Sequence, residues 1–399
     1  MKAGLEHTQR LRVLYCILDN RFGGPHRLAL TLAQRLRQDG VETLFLLGQK
    51  TEDIWRPEGF ESFLCRHIQC ISRHRPLRSF LRFWWSMPGN LLRIRRLIRA
   101  KDIDIVHVDG VTNFVPALAA GLTRMPIVWH YNDHLPRLLQ GLLLPMVTAL
   151  SSTVIVQSEG LKRLRTRAGS RLREKTAVIY AGIDTKMFDP AHCDAGTRTR
   201  QRQELGLPAD CPVIGTIGNL NRFKGHAYFL RAAGRIKEQV RDAKFLLVGR
   251  RLETDPRCWE ELQQLTAELG LKDDVIYAGF REDVPDILSA LDVFVLSSVL
   301  ESCPIVLLEA MAMKVPVVTT DVGAAAELVV NGQTGFVVPP RDPEALAGAV
   351  LACLRKPRDE VRAMVEAARN RVESQFGADI IARQQLQVYE SLSRRVGHI

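Results

Sequence analysis

Two carboxylates eight residues apart, Glu301 and Glu309, flank the point where an apolar strand gives way to a helical pattern. Val293-Phe294-Val295-Leu296 reads as the strand, and the run from Pro304 to Met313 as the helix. Pro304 suits the first helical position, because a missing N–H costs nothing there. Ser302 or Cys303 then lies near the cap, Glu301 in the loop before it, and Glu309 in the second turn. A helix N-terminus offers free N–H groups and the positive end of a dipole, which suits phosphate or a polar ligand. Such a start flanked by two carboxylates suits a ligand rich in hydroxyls. Taken alone, a capped helix with a solvated glutamate is the simpler reading. The rest of the chain decides.

A second charged group lies in Gly218-Asn219-Leu220-Asn221-Arg222-Phe223-Lys224-Gly225, between a strand, Val213–Ile217, and a helix, His226–Val240. A glycine turn carrying Arg222 and Lys224 at a helix start suits phosphate. It is neither a Walker loop nor a Gly-x-Gly-x-x-Gly turn. The next strand, Phe245–Gly249, ends on Gly249. In the first half, His130 closes the strand Pro126–His130. Ligands of open parallel sheets sit at the carboxyl ends of strands, so His130 is placed for chemistry or binding. His107 lies inside a strand and reads as a core histidine; His134 is a weaker candidate. Gly23-Gly24 follows the first strand, Arg12–Leu18, either as a tight turn or where a ligand meets the backbone.

These residues need a scaffold. With 399 residues the chain should hold two domains. Strand, glycine turn, helix and strand alternate from Arg12 and restart at Val213, which predicts an α/β protein with two Rossmann-like, doubly wound parallel-sheet domains facing a cleft. The chain turns polar near 188–195. The expected domains are therefore 1–187 and 188–377, with 378–399 a C-terminal helix returning to the N-terminal domain. Eight scattered cysteines show no Cys-x-x-Cys and no zinc spacing, so no metal site is expected and a reduced, cytoplasmic chain is. The stretch Met1–Arg10 is polar and does not read as a secretory signal. Leu138–Ser158 has no charge but carries Gln140, Pro145, Thr148 and Ser151, so it reads as a helix and a strand rather than a span.

Charge is uneven. Residues 1–200 hold 31 Lys and Arg against 17 Asp and Glu (+14), and residues 201–399 hold 24 against 27 (−3). A basic first half suits an anionic substrate or an anionic membrane surface. Nucleic acid is not expected, since no binding module of that kind is present. Residues 77–99 mix Phe80, Phe83, Trp84 and Trp85 with six arginines, as an interfacial helix or as a surface helix packing its apolar side. Pro88-Gly89 should break that stretch in two. The basic run from Lys162 to Arg173 reads as a solvated face.

Together the motifs resemble the retaining glycosyltransferases of GT-B fold, the large family four. The family's Glu-x7-Glu is matched by Glu301 and Glu309, and its approach motif by Ile179-Tyr180-Ala181-Gly182-Ile183-Asp184 with Phe188. Its phosphate loop is matched by Gly215, Gly218 and Lys224-Gly225, and its tail by Asp321, Gly323, Glu327, Gly332 and Gly335. Gly23-Gly24 and His130 match the N-terminal features. The resemblance implies a nucleotide-sugar donor in the second domain and an acceptor on the first, with Gly23 and Gly24 on the acceptor or diphosphate side. It implies that Glu309 binds ribose, Glu301 the sugar hydroxyls, and Lys224 the diphosphate, with backbone help at Pro304, Ile305 and Val306. His130 would contact the sugar or acceptor, and Gly218, Gly249 and Arg222 would line the donor. No metal or other cofactor is implied.

Three positions depart from the family pattern. Its phosphate-loop arginine is Asn219, which carries no charge; Arg222 is expected to compensate. A glycine after the first glutamate is Ser302, and a glycine after the helix is Lys314, which would be strained if that position has positive φ. The expected function is hexosyl transfer from a nucleotide sugar to a sugar, lipid-linked or glycolipid acceptor, in polysaccharide, lipopolysaccharide or glycolipid synthesis at the inner face of the membrane. A GT-B epimerase acting on the donor alone and a non-catalytic sugar-nucleotide-binding subunit are the competing readings.

Overall fold

Continuous apolar runs such as Val13-Leu14-Tyr15-Cys16-Ile17 form strands that are buried on both faces, as all-parallel sheets require. The computed structural model describes residues 10–18, 23–48, 55–65, 76–132, 137–166, 170–252 and 255–396. It divides into two units, residues 1–182 with 378–399, and residues 183–377.

The first unit runs β1 (Leu11–Ile17), α1 (Gly24–Gln38), β2 (Val41–Gly48), β3 (Ser62–Cys65), α2 (Pro76–Ala100), β4 (Ile105–Asp109), α3 (Phe114–Leu122), β5 (Ile127–His130), α4 (Arg137–Leu150), β6 (Thr153–Val156), α5 (Glu159–Arg165), α6 (Arg171–Glu174) and β7 (Thr176–Val178). Its seven parallel strands are ordered β3-β2-β1-β4-β5-β6-β7. Side chains alternate between faces along a strand. Leu14 and Cys16 therefore join a core with Ile94 and Ile98 of α2, Val115 of α3 and Val147 of α4. Tyr15 and Ile17 pack on the opposite face with Ala29 and Ala33 of α1.

The second unit contains α7 (Ala195–Glu204), β8 (Val213–Ile217), α8 (His226–Gln239), β9 (Lys244–Val248), α9 (Pro256–Glu268), β10 (Val275–Gly279), α10 (Val284–Ser289), β11 (Val293–Leu296), α11 (Ile305–Ala312), β12 (Val317–Thr320), α12 (Ala325–Leu328), β13 (Phe336–Val338), α13 (Pro343–Arg355) and α14 (Arg358–Arg371). Its six parallel strands are ordered β10-β9-β8-β11-β12-β13. The direction of winding reverses between β8 and β11, and ligands of open α/β sheets bind outside such a switch point.

The last helix, α15 (Ala378–Val396), belongs to the first unit. Arg35 of α1 lies 3.3 Å from Asp379, and the Tyr389 hydroxyl is 2.7 Å from His107 Nδ1. His107 is also stacked on Tyr15, so it is a structural histidine.

Several expectations need correction. The first unit ends at Gly182 rather than 187, because Ile183 N–H donates to Phe376 O and Arg369 binds the Phe188 carbonyl and Asp189. α2 runs unbroken through Pro88. Arg165, expected to be solvated, is buried with its guanidinium 4.9 Å above the Tyr131 ring. His134 lies outside the described residues. Among the described residues, no helix is long and apolar enough to cross a membrane.

Candidate functional site

The two loops that leave β8 and β11 meet at the switch point of the second sheet. The first begins at Gly218. Asn221 Oδ1 accepts from the N–H groups of Phe223 (2.9 Å) and Lys224 (3.2 Å), which folds Arg222–Lys224 into one 3-10 turn. Gly225 then takes φ +66° and starts α8. A Cβ there would fall on the Ser297 carbonyl oxygen, so glycine is required by both conformation and space.

Backbone bonds stitch this loop to the second. Val299 N–H donates to Phe223 O (2.8 Å), and Ser297 Oγ donates to Lys224 O (3.1 Å). The result is an ion pair between residues 77 positions apart: Lys224 Nζ lies 2.6 Å from Glu301 Oε1. Ser298 Oγ donates to the same oxygen at 2.7 Å. The Ser298 carbonyl in turn accepts from Thr320 Oγ1 (2.6 Å), at the end of β12. The lysine and glutamate side chains are 25% and 12% exposed, so the pair is largely shielded yet open to a ligand.

The helix behind Glu301 starts one residue later than expected. Pro304, with ψ 98°, is the cap of α11 rather than its first residue. No side chain caps this end, so the amides of Ile305 and Val306 are among those a helix leaves without an intrahelical partner. Glu309 sits in the second turn and is buried.

Gly249 follows β9 and lies against the first loop. Gly218 N–H donates to Val248 O (2.8 Å), and a Cβ on Gly249 would overlap the Gly218 carbonyl oxygen. Its role here is close backbone approach. Asn219 presents its carbonyl to His226 Nε2 at 3.4 Å. Burial lowers His226 to a pKa of about 4, so the ring is neutral at neutral pH. With that oxygen as partner, Nε2 carries the proton and donates. His226 was not singled out from sequence; the signal available was a histidine opening a helix directly after Lys224-Gly225.

Arg222 does not turn toward Lys224. Its guanidinium is 62% exposed and pairs with Glu261 at 2.6 Å and Asp255 at 3.9 Å, at the start of α9. Two carboxylates there attract the cation, whereas the loop itself already carries the like charge of Lys224. The charge expected of Arg222 in place of Asn219 is here directed to Glu261 and Asp255.

In the first unit, His130 ends β5, opposite Asp109 of β4. It is buried, and neither ring nitrogen has a hydrogen-bond partner among the described residues. Burial lowers its pKa to about 4. A neutral imidazole at a strand's carboxyl end can donate from one nitrogen and accept at the other. Gly23, in extended conformation, caps α1, and Gly24 is its first residue; no side chain caps this end.

Known proteins are similar to this chain in sequence and in fold. A family model described as Glycosyltransferase Family 4 matches residues 22–187, and one described as Glycosyl transferases group 1 matches residues 211–356. The lipopolysaccharide core biosynthesis mannosyltransferase LpsB of Rhizobium meliloti is 31% identical over 252 residues, covering 62% of this chain and 70% of that protein. This chain belongs to the family 4 glycosyltransferases. The alpha-D-kanosaminyltransferase of Streptomyces kanamyceticus is 29% identical over 294 residues, 70% of this chain and 74% of its own length. The crystal structure of Anabaena HepE in complex with UDP and glucose matches with a TM-score of 0.82 at 22% identity, over 96% of this chain and 100% of that one. That likeness establishes the GT-B fold for this glycosyltransferase, with two Rossmann-like domains.

Proposed function

We propose that this family 4 glycosyltransferase moves a hexosyl group, with overall retention, from a nucleoside-diphosphate sugar to a glycan, lipid-linked or glycolipid acceptor at the cytoplasmic face of the membrane. The observation that carries the reading is the Lys224–Glu301 pair, held by Ser298 at the switch point of the second sheet. In the transfer, the bond from the anomeric carbon to the diphosphate oxygen breaks and an acceptor oxygen takes its place. The acceptor proton leaves with the diphosphate. Lys224 has three N–H donors; one meets Glu301, and the others serve the charge growing on the leaving group. That cation makes a metal unnecessary in this scheme. Glu301 receives both of its bonds on Oε1, so Oε2 is assigned to a sugar hydroxyl. Gly218, Asn219, Pro304 and the amides of Ile305 and Val306 line the donor, and Glu309 takes the ribose. His130 is assigned to the sugar and acceptor side, with Gly23 and Gly24.

UDP of the HepE complex supports a nucleoside-diphosphate donor, as does the mannosyltransferase name of LpsB. The test is incubation with UDP, GDP and ADP sugars, followed by NMR of the sugar released or transferred. Slow donor hydrolysis, and an α product from an α donor, are expected. Isomerised donor in place of free sugar would make the protein an epimerase. No nucleotide-induced thermal shift with any of the three would refute the donor site.

A further inference from the structure

A helix on the surface of a soluble domain normally turns its apolar stripe to the core and a polar one to water. α2 turns apolar residues both ways. Phe83, Ile94 and Ile98 are buried in the core beside the sheet. At 3.6 residues per turn, Leu81, Trp85 and Leu92 fall in one line on the opposite side. They are 60%, 91% and 54% exposed. Five arginines on the exposed side, among them Arg78, Arg82 and Arg96, accompany this line, and α2 contains no acidic residue. None of these arginines pairs with a carboxylate among the described residues. Leu138 and Leu142, on the first half of α4, are also exposed. α2 and α4 cover the same face of the sheet.

We infer that α2 is a docking surface for an anionic lipid bilayer. Trp85, Leu81 and Leu92 enter the boundary between headgroups and acyl chains, and the arginines bind lipid phosphates. Charge complementarity selects this occupant. An apolar protein groove would accept the leucine and tryptophan line, but it would leave the guanidinium groups desolvated without anionic partners. Lipid phosphates flank the acyl layer on every side and accept bidentate bonds from arginine. A helix about 37 Å long, from 25 residues at 1.5 Å each, lies along such a surface rather than through it.

The inference goes beyond the transfer reaction and is read without donor or acceptor, so its failure leaves that reaction standing. The full chain is mixed with vesicles of equal amounts of phosphatidylglycerol and phosphatidylcholine, and with vesicles of phosphatidylcholine alone, then sedimented. Binding to the anionic vesicles is expected, with a blue shift in tryptophan emission that is absent from Trp85→Ser. Leu81→Ser with Trp85→Ser should lower the partition coefficient about tenfold or more. Arg82→Ser and Arg96→Ser should each lower it about fivefold. All four positions are exposed, and an unchanged thermal melt confirms that each variant folds. Equal binding to both vesicle types, no binding, or binding that survives the double variant would overturn the inference. So would a concentration-dependent dimer that Trp85→Ser dissolves, which would assign the surface to a second copy of the chain.

Discussion

Lys314 takes a left-handed backbone conformation, and the structure shows what a lysine costs there. α11 ends in a paired turn in which Val315 N–H donates to Ala310 O (3.0 Å) and Lys314 N–H to Met311 O (3.1 Å). This is a Schellman ending, and its left-handed residue is Lys314, at φ +55°. A left-handed conformation costs a residue with a Cβ about 1–2 kcal/mol. Glycine escapes that cost but loses about 0.4–1 kcal/mol to its freer unfolded chain. The lysine also holds Glu366 at 2.6 Å, with side chains 33% and 46% exposed. Such a pair is worth about 0.2–1 kcal/mol after solvent screening. Lys314→Gly should therefore leave stability close to unchanged, because relief of strain and loss of the pair offset each other. Lys314→Ala loses the pair and keeps the strain. The glycine variant should exceed the alanine variant by about 1 kcal/mol, a difference of about 2–4 °C in Tm for a unit of this size. The transition to follow is the one that a bound nucleotide raises. In a Glu366→Gln background the pair is already gone, and Lys314→Gly should then be stabilising outright. An alanine variant as stable as the glycine variant would refute the strained-turn argument.

Lys224→Ala should cut kcat about 10²–10³-fold, the usual loss for one charge-stabilising group. Arg222→Ala should weaken nucleotide binding less than Lys224→Ala does, because its guanidinium is committed to Glu261; isothermal titration of both variants decides, and the reverse order would show that Arg222 swings onto the donor. Gly225→Ala should abolish nucleotide-induced thermal shifts, since a Cβ overlaps Ser297 O at a φ that alanine resists; a normal shift would contradict the required close approach. Acid should destabilise both units from about pH 6.5 downward, through their buried histidines. Burial holds His130 and His226 at about 4 and His107 well below its usual value, against 6.5 in the unfolded chain. The unfolded state binds more protons below 6.5, so the stability of the neutral rings is present above that pH and is lost as pH falls toward 4. Each histidine contributes a slope of up to about 1.4 kcal/mol per pH unit in that window. A Tm that stays flat from pH 6.5 to about 4 would show that these rings accept protons in place.

Much of this fold is legible in the residues themselves. Buried parallel strands are largely apolar runs, so β8 and β11 are found at their true limits from the sequence pattern. Short or polar elements are not. β3 is a four-residue edge strand with a half-exposed pattern, and α7 carries almost no apolar residues, so neither shows the period that a buried face imposes. The break expected at Pro88 does not occur, because α2 is anchored to the sheet on both sides of it, by Phe83 and by Ile94. The early end of the first unit is equally invisible in composition. It follows from Ile183 bonding to Phe376, a contact between segments far apart in the chain.

The Glu301–Glu309 spacing, the glycine-bounded loop and the strand-end histidine are properties of the chain, because each depends on neighbours only a few residues away. Which charges meet is not. Lys224 reaches Glu301 because strand order sets β11 beside β8, and a one-dimensional pattern carries no strand order. The same holds for Ser298 and Thr320 bracing the glutamate loop, for His226 under Asn219, and for Arg222 drawn to Glu261. Sequence determined the kinds of groups and their local settings. Tertiary structure decided the partners, because electrostatics and hydrogen bonds act over a few ångströms of space, however many residues lie between.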